Sequence, residues 1–189
     1  MNGDCHPTVR LESASWVPVS TLPDVGRKSI RNQVSLLPRD RIIRMTVNFT
    51  ADRTLHMRGV ALYMYRKAPL LGLDARRAAL CGWLHDFGYL DGDNRTHADV
   101  AYRLLASVGY ADAREIGLHG TAQGLDSRLG VLLNIADMMV DARGVEVGFD
   151  ARLEDVEARY GRRSEQYREC AKMVENLKGT SEWALLSRQ

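Results

Sequence analysis

The chain has 189 residues and carries 26 lysines and arginines against 24 aspartates and glutamates, a formal net charge of +2. This length suits one domain with a buried core. So small a net charge argues against electrostatic attraction of the whole protein to nucleic acid or to a membrane. There are only three, widely spaced cysteines, no signal-peptide pattern and no apolar run near the ~18 residues of a membrane span, so we expect a soluble cytoplasmic protein with reduced thiols.

The prolines divide the chain into two parts. All five lie within the first 69 residues, and the last 120 residues contain none. Because proline breaks helix interiors, the proline-free part favours helices. We therefore predict an irregular arm or cap over residues 1–45, and an all-α fold for the remainder.

Helical periodicity and capping residues predict the elements of this remainder in chain order. A first helix covers about 51–67, and Asp74 is the expected N-cap of a second over 75–86. Thr96 is the expected N-cap of a third helix over 97–106, and a short helix over 112–119 should end at Gly120. Asp126 is the expected N-cap of a long helix that runs to Val140.

Two amphipathic helices, about 150–160 and 164–177, are predicted after that, separated by Gly161. The second has an apolar stripe that suits packing on the domain or on a second subunit. The stripe consists of Tyr167, Cys170, Met173, Val174 and Leu177. A homodimer is therefore one expectation from the sequence.

Acidic residues lie in the two most apolar segments of the chain. The segment AALCGWLHDFG, 78–88, contains His85 and Asp86, and LGVLLNIADMMV, 129–140, contains Asp137. A helix that is apolar all round is usually buried, and a buried carboxylate is costly unless it is paired, hydrogen-bonded or bound to a metal. Asp137 alone could be bonded to a backbone amide or to an arginine.

Histidines supply a second explanation for these carboxylates. Four of the five histidines fall within 64 residues: His56, His85, His97 and His119. Imidazole and carboxylate together suit divalent iron, manganese, cobalt, nickel or zinc. Any one of these histidines is more often an ordinary packed or exposed side chain than a ligand, so the prediction of a metal site rests on the joint pattern.

The order His56, His85–Asp86, Asp137 resembles the H…HD…D signature of the HD-domain phosphohydrolase superfamily. The flanking segments HMRGVALYM, ALCGWLHDFGY and LLNIADMMVD are also similar to those of the family, over residues of about 50–145. His97 and His119 stand between the HD pair and the last aspartate, as in the two-metal members such as the symmetric dinucleoside tetraphosphate hydrolases. The cyclic-dinucleotide phosphodiesterases of the family share this ligand pattern, but the chain lacks their GYP motif.

The resemblance implies an HD domain over 46–145, with a C-terminal extension over 146–189 packed on it. It implies one metal held by His56, His85, Asp86 and Asp137, and a second held by His97, His119 and a bridging, catalytic Asp86. The ions would be two divalent transition metals, iron or manganese first, with cobalt, nickel or zinc as further options. The implied reaction is attack of a metal-activated water on phosphorus.

The substrate side of the site departs from the family pattern at one position. Many members have a lysine shortly after the HD pair, where this chain has Tyr89. We expect Arg95 in the loop DGDNRTH to contact substrate instead, and Thr121 to be a weaker hydroxyl donor. The weak net charge and the lack of interleaved aromatic and basic residues predict a small anionic phosphate substrate rather than a nucleic acid polymer.

Two other functions remain open at this point. The same superfamily contains di-iron oxygenases with a similar set of ligands, and a non-catalytic sensor of metal or nucleotide could keep the same site. A complete set of ligands favours an enzyme over a sensor.

Overall fold

The structure is a computed structural model that describes residues 49–188, and this part of the chain is all-α, as predicted. It contains eight α-helices: α1 (Ala51–Lys67), α2 (Ala75–Leu84), α3 (His97–Ser107), α4 (Ala113–Gly117), α5 (Arg128–Met139), α6 (Phe149–Tyr160), α7 (Glu165–Lys178) and α8 (Ser181–Leu186). Three 3-10 helices join them at Ala68–Leu71, Phe87–Leu90 and Ala122–Leu125. No helix among residues 49–188 is both long enough and apolar enough to cross a membrane.

The predicted arm over 1–45 lies outside the described residues. The proposed boundary at residue 46 therefore stays a prediction from the sequence.

Close packing of α1 on α2 brings the first two sequence motifs together. Gly82 of α2 faces α1, where a Cβ at this glycine would lie 2.7 Å from the sulfur of Met64 and 3.1 Å from the backbone of Ala61. A glycine here lets the two helices approach without displacing the backbone of Ala61 or the side chain of Met64. Gly82 lies three residues before His85, so the close approach of α1 and α2 occurs one turn before His85 and Asp86.

Helix α5 forms the centre of the core. Its residues Leu132, Leu133 and Ile135 are completely buried, which agrees with its lack of a polar face in the sequence. Ser127, and not Asp126, caps this helix, because the Ser127 hydroxyl accepts a hydrogen bond from the Gly130 amide at 3.0 Å. The prediction of Asp126 as the N-cap is thus wrong by one residue.

The segment after residue 145 contains three helices in the described part of the chain, where the sequence predicted two. The additional helix is α8, which begins after Thr180, whose side chain accepts from the Trp183 amide. Met173, Val174 and Leu177 of the predicted stripe on α7 are buried in the same core as α1 and α5. These helices therefore pack on the part of the chain that carries the motifs.

Several other predicted helix ends need correction. Asp74 caps α2 as predicted, but α2 ends at Leu84, and Asp86 directly precedes the 3-10 helix that follows. The short helix predicted over 112–119 is confined to Ala113–Gly117. Thr96 precedes α3 but makes no capping bond with its side chain; it bonds to Asp93 instead, whose carboxylate accepts from the Thr96 amide and hydroxyl.

Candidate metal centre

Six residues predicted as metal ligands lie together, and five of them lie near the beginning or the end of a helix. They are His56 in α1, His85 and Asp86 after α2, His97 at the start of α3, His119 after α4 and Asp137 near the end of α5. Within the described residues they form two groups, and in each group one potential ligand atom per residue lies within 4.8 Å of the others. The arrangement could hold metal ions.

Group one consists of His56, His85 and Asp137. The His56 Nε2 atom lies 2.9 Å from Asp137 Oδ1, and the His85 Nε2 atom lies 3.8 Å from the same oxygen. Both imidazoles are buried, whereas a quarter of the Asp137 side chain is exposed. Solvent therefore reaches this group on the side of the carboxylate.

Group two consists of Asp86, His97 and His119. The Nε2 atoms of the two histidines are 3.0 Å apart, and Asp86 Oδ1 lies 3.7 Å from that of His97 and 4.0 Å from that of His119. His119 and Asp86 are buried, and the His97 side chain is 16% exposed.

Asp86 lies between the two groups. While its Oδ1 faces group two, its Oδ2 lies 3.4 Å from His85 Nε2 and 3.9 Å from His56 Nε2, both in group one. A single carboxylate thus presents one oxygen to each group. This is the arrangement expected of a ligand shared by two ions.

All four histidines hold their rings in the same way, with Nδ1 against a backbone carbonyl oxygen. The acceptors are Asp141 O for His56 (3.1 Å), Gly82 O for His85 (2.7 Å), Asp93 O for His97 (3.2 Å) and Ile116 O for His119 (2.5 Å). A carbonyl oxygen can only accept, so each Nδ1 carries a proton. In a neutral ring this leaves the Nε2 lone pair free, and all four Nε2 atoms point to the carboxylates.

The buried nitrogen and oxygen atoms of the site are arranged to bind a cation rather than to hydrogen-bond to one another. His85 Nε2 is fully buried and has no hydrogen-bond partner among the described residues, although two carboxylate oxygens lie 3.4 and 3.8 Å away. A lone pair that faces carboxylates needs a positive charge between them. Neutral imidazole held through Nδ1 is also the usual form of a histidine metal ligand.

The pKa values of the histidines agree with neutral rings in two cases. Burial lowers the pKa of His85 to about 4 and outweighs the raising effect of Asp86 and Asp137. Burial, followed by the charge of His119, lowers the pKa of His97. For His56, burial also acts to lower the pKa, but the hydrogen bond and the charge of Asp137 raise it above the ordinary value.

Arg53 is a component of the site that the sequence analysis missed. Its Nη1 atom lies 2.5 Å from Asp86 Oδ2, and its guanidinium lies 3.8 Å from the centre of the Tyr89 ring. About a third of the Arg53 side chain is exposed. The signal was available, because Arg53 precedes His56 by three residues and therefore lies on the same face of α1.

Tyr89 connects Arg53 with group two. Its ring stacks on that of His97 with the centroids 4.2 Å apart. Gly88 makes this approach possible, because a Cβ there would lie 1.7 Å from the carbonyl oxygen of His97. Tyr89 therefore supports the His97 ring on the side of the site where Arg53 lies.

The two residues predicted to bind substrate have local partners. Arg95 is three-quarters exposed and pairs with Glu165 of α7 at 2.9 Å. Thr121 donates to Leu118 O at 2.7 Å and accepts from the Gly124 amide at 3.3 Å, so its hydroxyl caps a 3-10 helix. Neither belongs to the two histidine and aspartate groups, and their contact with substrate stays a prediction.

Comparisons of the chain with models of protein families, with curated proteins and with solved structures found no match.

Proposed function

We propose that the protein is an HD-type metal-dependent phosphohydrolase that cleaves a phosphate ester or anhydride of a small nucleotide-like substrate. The observation that carries the proposal is the shared position of Asp86 between two histidine groups whose Nε2 atoms all face carboxylates. Two divalent transition metals, iron or manganese first, would be held there. His56, His85, Asp86 and Asp137 would hold one ion, and Asp86, His97 and His119 the other.

When bound, such metals acidify a water molecule and neutralise charge that develops on phosphoryl oxygens. The chain's own contribution is to hold the ligands before the ions arrive. The four Nδ1 bonds to backbone carbonyls orient the rings, so little conformational freedom remains to be lost on binding. Burial of His85 and Asp86 also keeps bulk water away from one side of the site.

Arg53 supplies the positive charge for an anionic substrate in this proposal. Its guanidinium is partly exposed and contacts the shared carboxylate, so it lies between the solvent and the two groups. Guanidinium groups bind phosphate oxygens through two parallel hydrogen bonds. Arg53 would thus take the role that lysine has in many HD proteins, at a different position of the chain.

The experiment that tests the proposal measures metal and then activity on the same protein. The full chain is purified anaerobically, its metals are quantified, and phosphate release is screened over mononucleotides and dinucleoside polyphosphates with iron, manganese, cobalt, nickel and zinc. The control is Asp86→Asn, which removes the shared charge and retains the size of the side chain. We expect close to two ions per chain and phosphate release that the control lacks.

Other outcomes would decide against hydrolysis. Oxygen consumption with an organic substrate, without phosphate release from any ester, would support the di-iron oxygenase. Tight metal or nucleotide binding without turnover of any substrate would support the sensor. Strongly salt-dependent binding to RNA or DNA would overturn the small-substrate part of the proposal.

A further inference from the structure

Tyr89 lies between an arginine and a histidine of the candidate site. The Arg53 guanidinium lies over the Tyr89 ring, 3.8 Å from its centroid. The His97 ring stacks on Tyr89 with the centroids 4.2 Å apart and the two planes inclined by 18°. One face of a phenol ring has no room for two planar groups at these distances, so Arg53 and His97 lie on opposite faces. The guanidinium, the phenol ring and the imidazole therefore form a stack of three, with Tyr89 in the middle.

The shared carboxylate of Asp86 reaches both ends of this stack. Its Oδ2 accepts from Arg53 Nη1 at 2.5 Å, and its Oδ1 lies 3.7 Å from His97 Nε2. Tyr89 thus separates the positive charge of Arg53 from the histidines of group two. Without the ring, the guanidinium could move along the carboxylate from Oδ2 to Oδ1, and a positive charge there would oppose the binding of a metal ion to group two.

Tyr89 is also held at its hydroxyl end. The hydroxyl donates to Asn94 Oδ1 at 3.0 Å, and Asn94 Nδ2 donates to the hydroxyl of Tyr160, the last residue of α6, at 3.4 Å. The ring is thereby contacted on both faces and at its far end. A side chain held in this way gives its neighbour a fixed surface, so the orientation of the Arg53 guanidinium is set before any ligand arrives.

We infer that Tyr89 is a positioning residue that holds the Arg53 guanidinium ready for a phosphate-type oxyanion and apart from group two. The inference deepens the proposed function and rests on it for the assignment of Arg53 to the substrate. A guanidinium has N–H donors on all three nitrogens in a planar fork, so the bond to Asp86 leaves donors for a second anion. An arginine loses much side-chain freedom when it binds a ligand, and a stack that orders it beforehand reduces that loss.

Calorimetric binding of inorganic phosphate to the full, manganese-loaded chain tests the inference through a double-mutant cycle of Tyr89→Leu and Arg53→Gln. Leucine is apolar but offers no ring face to either neighbour. We expect Tyr89→Leu to weaken phosphate binding about fivefold when Arg53 is present, and less than about twofold in Arg53→Gln, where no guanidinium remains to be positioned. Tyr89→Phe retains the ring and both stacked contacts, so its phosphate affinity should stay within about twofold of the wild type.

Tyr102→Leu is the matched control. Tyr102 lies on α3, as His97 does, but its side chain is 43% exposed and lies against Gly117 of α4. Its replacement should leave the phosphate affinity unchanged, and the metal content is measured in every variant. Should Tyr89→Leu not fold, Tyr89→Met fills the same space with a flexible side chain that has no ring face, and the same loss of affinity is expected.

The outcomes separate this inference from the proposed function. An equal loss of phosphate affinity on Tyr89→Leu with and without Arg53 would overturn the inference, because Tyr89 would then act through His97 or through stability. Unchanged affinity in Tyr89→Leu, or no phosphate binding by the wild type, would overturn it as well. All three results leave hydrolysis to be decided by the nucleotide screen. Coupling between Tyr89 and Arg53 without turnover of any nucleotide would support the inference while the proposed function fails.

Discussion

The Nε2 atoms of His97 and His119 lie 3.0 Å apart. Each ring donates its Nδ1 proton to a backbone carbonyl, that of Asp93 or Ile116. If both rings are neutral, the Nε2 lone pair of one ring faces the Nε2 lone pair of the other, which is an unfavourable arrangement. A second proton on one ring or a cation between the rings would relieve this arrangement, and burial together with the charge of His119 lowers the pKa of His97, which disfavours the second proton on His97.

We therefore predict that His119→Ala lowers the metal content from two ions per chain towards one. Group one keeps all of its own residues in this variant, so the remaining ion should be bound there. Metal analysis by mass spectrometry, with circular dichroism as a check of folding, measures the effect. Asp99→Ala is a suitable control, because Asp99 is an exposed residue of α3 that pairs with Arg103. A stoichiometry of two in His119→Ala, or of one in the wild type, would contradict the prediction.

Asp86→Asn should remove both ions, because the shared carboxylate contributes one oxygen to each group. The chain offers a matched control in Asp112, which is equally buried and has an arginine at the same distance, with Arg77 Nη2 2.5 Å from its Oδ1. Asp112→Asn should lower stability, since it removes the buried charge that pairs with the 63% exposed Arg77, and should leave the metal content at two. Retention of both ions in Asp86→Asn would rule out the shared role of Asp86.

The candidate metal ligands that the sequence grouped lie together in the structure, whereas several predicted helix ends are wrong. All six predicted metal ligands lie in the two groups, because carboxylates and imidazoles inside apolar segments require partners in any fold that buries them. The end of α2 was predicted two residues too late, at Asp86, because an apolar run does not show where a helix gives way to a 3-10 turn. The Asp93 turn before α3 was missed for a similar reason, since Thr96 is an equally good capping residue in sequence terms.

The ion-pair partners of residues far apart in the chain could not be identified from the sequence. Arg53 pairs with Asp86 across 33 residues, and Arg95 pairs with Glu165 across 70. Both arginines are basic residues close to motifs, and periodicity places neither against its partner. Helical spacing places Arg53 on the same face of α1 as His56, but only the tertiary structure identifies Asp86 as its partner.

The side chain of Asn134 connects the segments that carry the two ligand groups by hydrogen bonds to backbone atoms. It lies one turn before Asp137 on α5 and is 2% exposed. Its side-chain oxygen accepts from the Gly120 amide at 2.7 Å, and its side-chain nitrogen donates to Gly130 O at 2.8 Å. Gly120 directly follows His119, so Asn134 positions the turn that carries this histidine relative to the helix that carries Asp137.

Asn134→Leu should therefore lower the free energy of unfolding by about 1–3 kcal/mol and weaken metal binding in group two more than in group one. The buried Gly120 amide loses its partner, and the turn with His119 loses its anchor. Leu133→Ala is the control for stability, since a cavity at this fully buried neighbour costs about 2–5 kcal/mol without touching the turn. Titration with cobalt, followed by absorption spectroscopy and denaturant unfolding, separates the two effects. Equal loss of both ions in the two variants would indicate that Asn134 acts through stability alone.

The last prediction compares Arg53 with Arg95, the two arginines proposed to meet the substrate. Arg53 lies 2.5 Å from the shared carboxylate and is one-third exposed, so its guanidinium is close to the ligand groups and also accessible to an anion. Arg95 is three-quarters exposed and pairs with the exposed Glu165. Such surface pairs contribute little, and their arginines are solvated.

We expect Arg53→Gln to raise KM at least tenfold for the best nucleotide found in the screen, which corresponds to about 1.4 kcal/mol of lost binding. Arg95→Gln should change KM less than twofold. Steady-state kinetics over the two variants, with metal content measured in each, makes the comparison, and Glu165→Gln controls for the loss of the surface pair. If KM rises tenfold in Arg95→Gln and stays unchanged in Arg53→Gln, the loop DGDNRTH contacts substrate as the sequence predicts. In that case the contact of Arg53 with Asp86 only balances charge.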